Sequence, residues 1–331
     1  MKRRAAITGA TGLLGANLAD HLLSEGYEVR ACKRQSSKID HLSKLNIDWH
    51  DAPLDDEQAM AEVFEGCDVV FHCAAAVSII KKRTPTLINA NILGTEHVIN
   101  AVKKSGARLV HTSTVAAVAI SESGEPSVET ATYNFDKFGL ADGYSTTKRD
   151  AEAAVMRAVK EQKLDAVVIN PGYMFGAYDA RPSSGALIRD VIKGRVPGVT
   201  AGRNNFADVR DVARGMRLAY EKGKPGERYI LAGHNMHYSE ILTLIAKVGG
   251  VKAPKMRLPK SAALMAGYFY DLKEKVTGRA DVLNSNTVHW AYEKNFVFSS
   301  EKAQKELGYV ITPLDESIGI CIDWFRDNGV L

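Results

Sequence analysis

Short apolar runs and longer amphipathic stretches alternate along the first half of the chain. The runs at residues 4–8, 27–32, 69–73, 108–111 and 166–169 have the length and composition of buried strands. Between them, residues 16–24, 56–64, 86–104 and 144–160 carry the spacing of helices packed on one face. Strands that alternate with helices predict an α/β fold: a Rossmann-type, doubly wound parallel sheet with right-handed crossovers. Beyond about residue 170 the pattern becomes irregular. Residues 182–202 are loop-rich with one short helix, 205–208 make a brief strand that leads into a helix ending near 221, 228–231 resemble a strand, and helices follow. The expected division is a dinucleotide-binding domain at 1–170 and a smaller, mostly helical α+β substrate lobe at 171–331, with residues 203–222 returning to the first domain.

The first run leads directly into Gly9, Ala10, Thr11, Gly12, Leu13, Leu14 and Gly15, and then into a helix. A strand, a glycine-rich turn and a helix start in that order make an anion site, because unpaired N–H groups face outward and glycines let backbone approach a pyrophosphate. Taken alone, the same stretch is an ordinary strand-to-helix turn; its flanks favour dinucleotide binding. The second run ends in Lys33 and Arg34, where an NAD-binding chain often places an acid for the ribose 2′-hydroxyl. The positive charge predicts a 2′-phosphate, hence NADP(H), with Arg34 the better ligand because its guanidinium grips phosphate bidentately. The plainer alternative is a basic loop start.

Charge and cysteine usage narrow the class. Lys+Arg 43 against Asp+Glu 39 gives +4 over 331 residues, and the longest basic cluster, Lys81-Lys82-Arg83, is read as a solvated loop. Nucleic acid is not an expected partner. The four cysteines, Cys32, Cys67, Cys73 and Cys321, lack the spacing of zinc sites or disulfide frameworks, so reduced thiols, no metal and a cytoplasmic location are expected. The basic residues 1–4 are followed by an apolar run that Thr8-Gly9 interrupts, which predicts no secretory signal. Residues 261–270 are apolar but far shorter than the roughly 20 needed to span a bilayer. They are read as a helix packed on the lobe, with membrane-surface contact as the minor alternative.

Candidate chemistry gathers at the strand ends. Ala74, Ala75 and Ala76 leave room for a ligand, and Asn91, if buried, needs a hydrogen-bond partner. Thr112, Ser113 and Thr114 bring hydroxyls to the same edge, where one can donate to a substrate oxygen. Tyr144 and Lys148 lie one turn apart on a helix, and an ammonium beside a phenol stabilises the phenolate. That pair is thereby a candidate general acid/base, although the spacing also arises by chance. A substrate pocket would draw on Tyr133, Phe135, Phe138, Tyr173, Met174, Phe206 and His289, each an equally good core residue.

With these residues assembled, nearly the whole chain resembles the extended short-chain dehydrogenase/reductases, and within them the dihydroflavonol 4-reductase-like and cinnamoyl-CoA reductase-like branch. The resemblance rests on residues 8–15, 74–76, 91–95, 112–114, 144–148, Asn170-Pro171-Gly172, 208–213 and Leu307-Gly308-Tyr309. It implies that Tyr144 donates the proton in reduction, that Lys148 holds the nicotinamide ribose and lowers the tyrosine's pKa, and that Thr114 or Ser113 polarises the carbonyl. It also implies that Asn91, Pro171, Gly172 and Tyr173 help to hold the cofactor. This chain has Thr114 where relatives most often have serine, and Pro53-Leu54 where they carry an Asp-Leu pair beside the adenine. Val115-Ala116 replace the Asp-Glu pair of sugar-nucleotide dehydratases, which argues against dehydration. The implied activity is NADPH-dependent reduction of an aldehyde or ketone by a small-molecule enzyme. Alternatives are a hydroxysteroid or sterol dehydrogenase, a sugar-nucleotide epimerase, and a non-catalytic NADP sensor. A homodimer through the helices at 86–104 and 144–160 is also implied.

Overall fold

In the computed structural model, which describes residues 2–78, 80–277 and 284–331, the strands are β1 (Arg4–Thr8), β2 (Glu28–Lys33), β3 (Asp48–Asp51), β4 (Val69–His72), β5 (Arg108–Thr112), β6 (Ala166–Pro171), β7 (Tyr173–Phe175), β8 (Arg203–Asp208), β9 (Arg228–Leu231) and β10 (His234–His237). The helices are α1 (Leu13–Ser24), α2 (Glu57–Phe64), α3 (Pro85–Leu87), α4 (Gly94–Ser105), α5 (Gly143–Gln162), α6 (Ala186–Ile192), α7 (Val209–Lys222), α8 (Tyr238–Gly249), α9 (Lys260–Thr277), α10 (Ser285–Ala291), α11 (Glu301–Leu307) and α12 (Leu314–Asp327).

Seven strands form one parallel sheet in the order β3-β2-β1-β4-β5-β6-β9. Parallel pairing needs crossover helices, and these cover both faces. One face packs on α1, α7 and α11 through Leu18, Val212, Met216 and Leu307; the other packs on α2, α4 and α5 through Phe64, Val98, Val102 and Val155. The order of connection reverses between β1 and β4, both of which pair with later strands on their far sides. In register, Thr8 of β1 stands beside Cys32 of β2 and His72 of β4, and Thr112 of β5 beside Ile169 of β6. All five strand ends therefore reach the same edge, and the reversal opens a crevice there.

The lobe holds a smaller sheet, β10-β8-β7, packed with α6, α8 and α12 around Phe175, Ile188, Phe206, Ile245, Ile318 and Phe325. Helix α7 returns to pack beside α1, and β9 completes the main sheet by pairing with β6. The expected helix at 86–104 is instead a short turn at α3, a π-helical turn over Ile88–Leu93, and α4. The widened turn carries Asn91, whose amide closes on a neighbouring loop. Strand β3 was not expected: Asp-Trp-His-Asp has too little apolar character to signal a strand, and it pairs only along the sheet edge.

Candidate active site

The crevice begins at Gly9, where φ is +78° and a side chain would collide with the backbone of Ala74. Gly15 faces the Gly9 carbonyl so closely that a Cβ would sit 2.2 Å from it. These contacts require glycine, and they seat the first turn of α1 against the loop after β4. No side chain caps α1 at Gly12, so the N–H groups of Leu13 and Leu14 at its first turn remain available to an anion. Thr11 is partly buried beside them. At the end of β2, Lys33 forms an ion pair with Asp51, whereas the Arg34 side chain is exposed and its backbone N–H bonds Ser37. This donor set fits a dinucleotide: a glycine-lined cradle, an uncapped helix start, and an exposed guanidinium at the end of β2. Pro53 and Leu54 follow β3, and the Leu54 side chain packs on Gly94.

Asn91 is buried, and its side chain reads both backbone groups of Ala76: Oδ1 accepts from Ala76 N at 2.8 Å and Nδ2 donates to Ala76 O at 3.0 Å. The same Nδ2 reaches Thr147 Oγ1 on α5 at 3.1 Å. The loop through Ala74, Ala75 and Ala76 is thus held to the helix that carries Tyr144. Behind it, buried His72 bridges Thr8 Oγ1 at 2.7 Å and Thr95 Oγ1 at 3.1 Å. Burial, with the Lys148 charge added, pushes this imidazole down to about 3, so it is neutral.

Helix α5 starts with a capping box in which Asp142 accepts from Ser145 N at 2.7 Å and Ser145 Oγ accepts from Asp142 N at 3.1 Å. The start is crowded. A Cβ on Gly143 would meet the Lys82 carbonyl, and Arg83 reaches Thr146 Oγ1 at 2.9 Å and Asp150 at 2.7 Å. The basic cluster 81–83 is exposed as expected, and Arg83 also ties it to α5.

In this first turn the Tyr144 side chain is partly buried, and its phenol lies near enough to the Thr114 hydroxyl for that group to act on its titration, while Thr114 Oγ1 accepts from Ala116 N at 3.2 Å. Burial pushes this phenol up to about 12, opposed by the nearby Thr114 hydroxyl and reinforced by the charge of Asp142. The expected lowering of the tyrosine by Lys148 is not what the geometry gives. Lys148 Nζ is turned onto the Thr112 carbonyl at 2.6 Å, and burial lowers its own pKa to about 8. Between the two hydroxyls left open by the sequence, Thr114 is the one that acts on the Tyr144 phenol. Ser113 Oγ is buried without a hydrogen-bond partner among the described residues, as expected when successive residues of extended backbone point to opposite sides.

A buried polar network behind this pair was missed in the sequence. Asn170 Nδ2 donates to the Thr114 carbonyl at 3.0 Å and to Glu152 Oε2 at 2.9 Å. Glu152 also receives Arg228 Nη1 at 3.1 Å, and Arg228 donates to the carbonyls of Glu129 and Ala131 in the loop before α5. Glu152 stands at the i+4 position from Lys148, on the same helix face as Tyr144, and that spacing was its only signal.

The pocket candidates divide. Phe135 is wholly buried, stacked on Tyr133 at 4.9 Å and packed against Trp290 and Phe296, and Phe206 is wholly buried and stacked on Phe175 at 5.6 Å. Both are core, because aromatic neighbours surround each ring. Phe138, Tyr173, Met174 and His289 keep some exposure. Tyr173 and Met174 follow Pro171 and Gly172 at the sheet edge, with the Tyr173 hydroxyl bonded to the Ser184 carbonyl at 3.1 Å.

Fold and site together define an α/β oxidoreductase that works with a nicotinamide dinucleotide. The chain belongs to the NAD dependent epimerase/dehydratase family, the extended short-chain dehydrogenase/reductases, whose pattern matches residues 5–232. It is 32% identical over 98% of its length, and 94% of the relative's, to a Synechocystis protein provisionally named dihydroflavonol 4-reductase. It is 31% identical over 97% of its length to a cinnamoyl-CoA reductase of Medicago truncatula, covering 95% of that protein. It is likewise 31% identical to sterol demethylase protein B of Methylococcus capsulatus, over 98% of this chain and 99% of that protein. The crystal structure of gox2253 superimposes with a TM-score of 0.85 at 30% identity and covers 99% of both chains. UDP-glucose 4-epimerase of Thermotoga maritima shares the fold, with a TM-score of 0.78 at 20% identity over 98% of this chain and 99% of that one.

Proposed function

We propose that the protein is an NADPH-dependent reductase of an aldehyde or ketone in a small to medium, partly apolar molecule. The observation that carries this reading is the placement of the Thr114 hydroxyl near a neutral Tyr144 at the sheet edge beside the glycine cradle. When bound there, NADPH supplies the hydride. Tyr144 delivers the proton to the carbonyl oxygen, for which a phenol protonated across the physiological range is the required form. Thr114 donates a hydrogen bond to the same oxygen as negative charge develops on it. Lys148, bonded to the Thr112 carbonyl, fixes the end of β5 from which Thr114 follows. The cradle, the uncapped α1 and the Asn91-anchored loop would hold the dinucleotide, and Arg34 supports the choice of NADPH over NADH.

The 31% identical sterol demethylase protein B supports a second reading with the same residues, oxidation of a sterol-like alcohol. A panel of aldehydes, ketones and sterols, followed by nicotinamide absorbance with NADPH, NADH and their oxidised forms in parallel, tests both. Oxidation of NADPH by carbonyls is expected. Reduction of NADP⁺ by sterols alone would favour the second reading. No turnover in either direction by protein that still binds NADPH would leave a cofactor sensor and overturn both.

A further inference from the structure

Helix α9 turns an apolar stripe to solvent. Met265, Tyr268, Phe269 and Leu272 are 75%, 58%, 66% and 61% exposed, and their spacing of three and four residues places them along one face. The opposite side is fixed: Gly267 packs so closely on the start of α10 that a Cβ would meet Ser285 N at 2.9 Å. The sequence reading of 261–270 as a packed lobe helix therefore holds for one face only. Patches of large apolar side chains on a folded surface mark interaction sites.

The segment that leads into the stripe is basic. Residues 250–264 contain Lys252, Lys255, Arg257 and Lys260 and no acidic residue. All four are exposed, and none forms an ion pair among the described residues. Lys81 is exposed as well, and its charge, like that of Lys260, lowers the His289 pKa. We propose that the α9 stripe docks on the surface of a bilayer carrying anionic lipid, with Lys252, Lys255, Arg257 and Lys260 on the headgroups. Methionine, tyrosine, phenylalanine and leucine on one helix face, flanked by unpaired cations, is the composition of a helix that lies in the membrane interface. No described helix is long and apolar enough to cross a membrane. A second copy of this chain is a poorer occupant, because pairing through the stripe would bring the two sets of cations together.

The surface adjoins the candidate active site. Asn286 of α10 donates to Asp142 at the start of α5 at 3.2 Å, and the Lys82 carbonyl abuts Gly143. A docked molecule would thus present this side of the site to compounds dissolved in the bilayer, a consequence that rests on the reductase reading, whereas the docking itself does not.

The test is sedimentation of the full chain with vesicles of phosphatidylcholine alone and of phosphatidylcholine mixed with phosphatidylglycerol, at low and high salt. Co-pelleting with the anionic vesicles, weakened by salt, is expected. Lys255→Gln, Arg257→Gln and Lys260→Gln together should lower partitioning on the order of a hundredfold, at about fivefold per cation. Phe269→Glu with Leu272→Glu should lower it roughly tenfold or more. All these side chains are exposed, so unchanged thermal midpoints would show that the variants fold. No pelleting with either vesicle, or pelleting that neither variant alters, would overturn the proposal. So would a dimer in analytical ultracentrifugation that the Phe269→Glu and Leu272→Glu variant dissociates, since a second copy would then cover the stripe.

Discussion

Removing the Glu152 carboxylate should weaken both the fold and the chemistry, because it joins three elements behind the catalytic pair. Glu152→Ala takes an acceptor from Asn170 at 2.9 Å and from Arg228 at 3.1 Å. Arg228 keeps its bonds to Glu129 and Ala131, but one face of the guanidinium loses its partner in a largely buried setting. Breaking a buried pair costs roughly 3–5 kcal/mol. The Arg228 side chain is 21% exposed, so water recovers part of this and about 2–3 kcal/mol remains. With an unfolding entropy of roughly 2.1 cal/mol/K per residue over 331 residues, the thermal midpoint should fall by about 3–4 °C. In a double-mutant cycle with Arg228→Ala, a coupling of about 1–3 kcal/mol is expected. Asn170 also holds the Thr114 carbonyl, and the Glu152 charge raises the pKa of Lys148. The variant should therefore lose kcat more than it raises KM, and a pH profile that reports Lys148 should move to lower pH. An unmoved midpoint, or losses from the two single variants that simply add, would refute this reasoning.

Arg34→Leu should raise KM for NADPH roughly 10–100-fold while leaving KM for NADH nearly unchanged, the value of a charge-assisted phosphate contact. Lys33→Ala should do less, since Lys33 is already paired with Asp51; steady-state kinetics with both cofactors decide. Lys148→Met should abolish turnover yet stabilise the cofactor-free protein at pH 7. Burial lowers Lys148 from 10.5 to about 8, so between those pH values the unfolded chain binds the extra proton and wild-type stability rises with pH. At about 1.4 kcal/mol per unit, less the lost bond to Thr112, the variant gains about 1–2 kcal/mol at pH 7. Denaturation curves at pH 7 and pH 10 should show this gain closing as Lys148 discharges; a variant less stable at pH 7 would contradict it.

The parallel sheet was legible because its buried strands are short apolar runs separated by helical spacing, and the glycine turn because only glycine suits Gly9 and Gly15. Edge strands and the small sheet carried too few apolar residues to register: β3 is Asp-Trp-His-Asp and β10 His-Asn-Met-His. The π-helical turn at Ile88–Leu93 could not be read from spacing, since Asn91 widens the helix through a contact with Ala76, distant in the chain. Phe135 and Phe206 show the same limit in the pocket. An aromatic residue before a catalytic helix suits a core or a pocket equally until its neighbours are known. The Glu152, Asn170 and Arg228 network joins residues 76 positions apart at its widest ion pair, between Glu152 and Arg228, which local patterns do not reach. Tyr144 and Lys148 were legible as a pair, but not the turning of the lysine onto Thr112.

The central claim is that Tyr144 hands a proton to a carbonyl oxygen beside bound NADPH while the Thr114 hydroxyl donates to the same oxygen. Comparison of wild type with Tyr144→Phe, on a carbonyl that the wild type reduces, tests it most directly when paired with NADPH titration by fluorescence. Turnover should fall by roughly 10²–10⁴-fold with NADPH affinity unchanged within about threefold. A Tyr144→Phe enzyme that retains wild-type kcat would contradict the account.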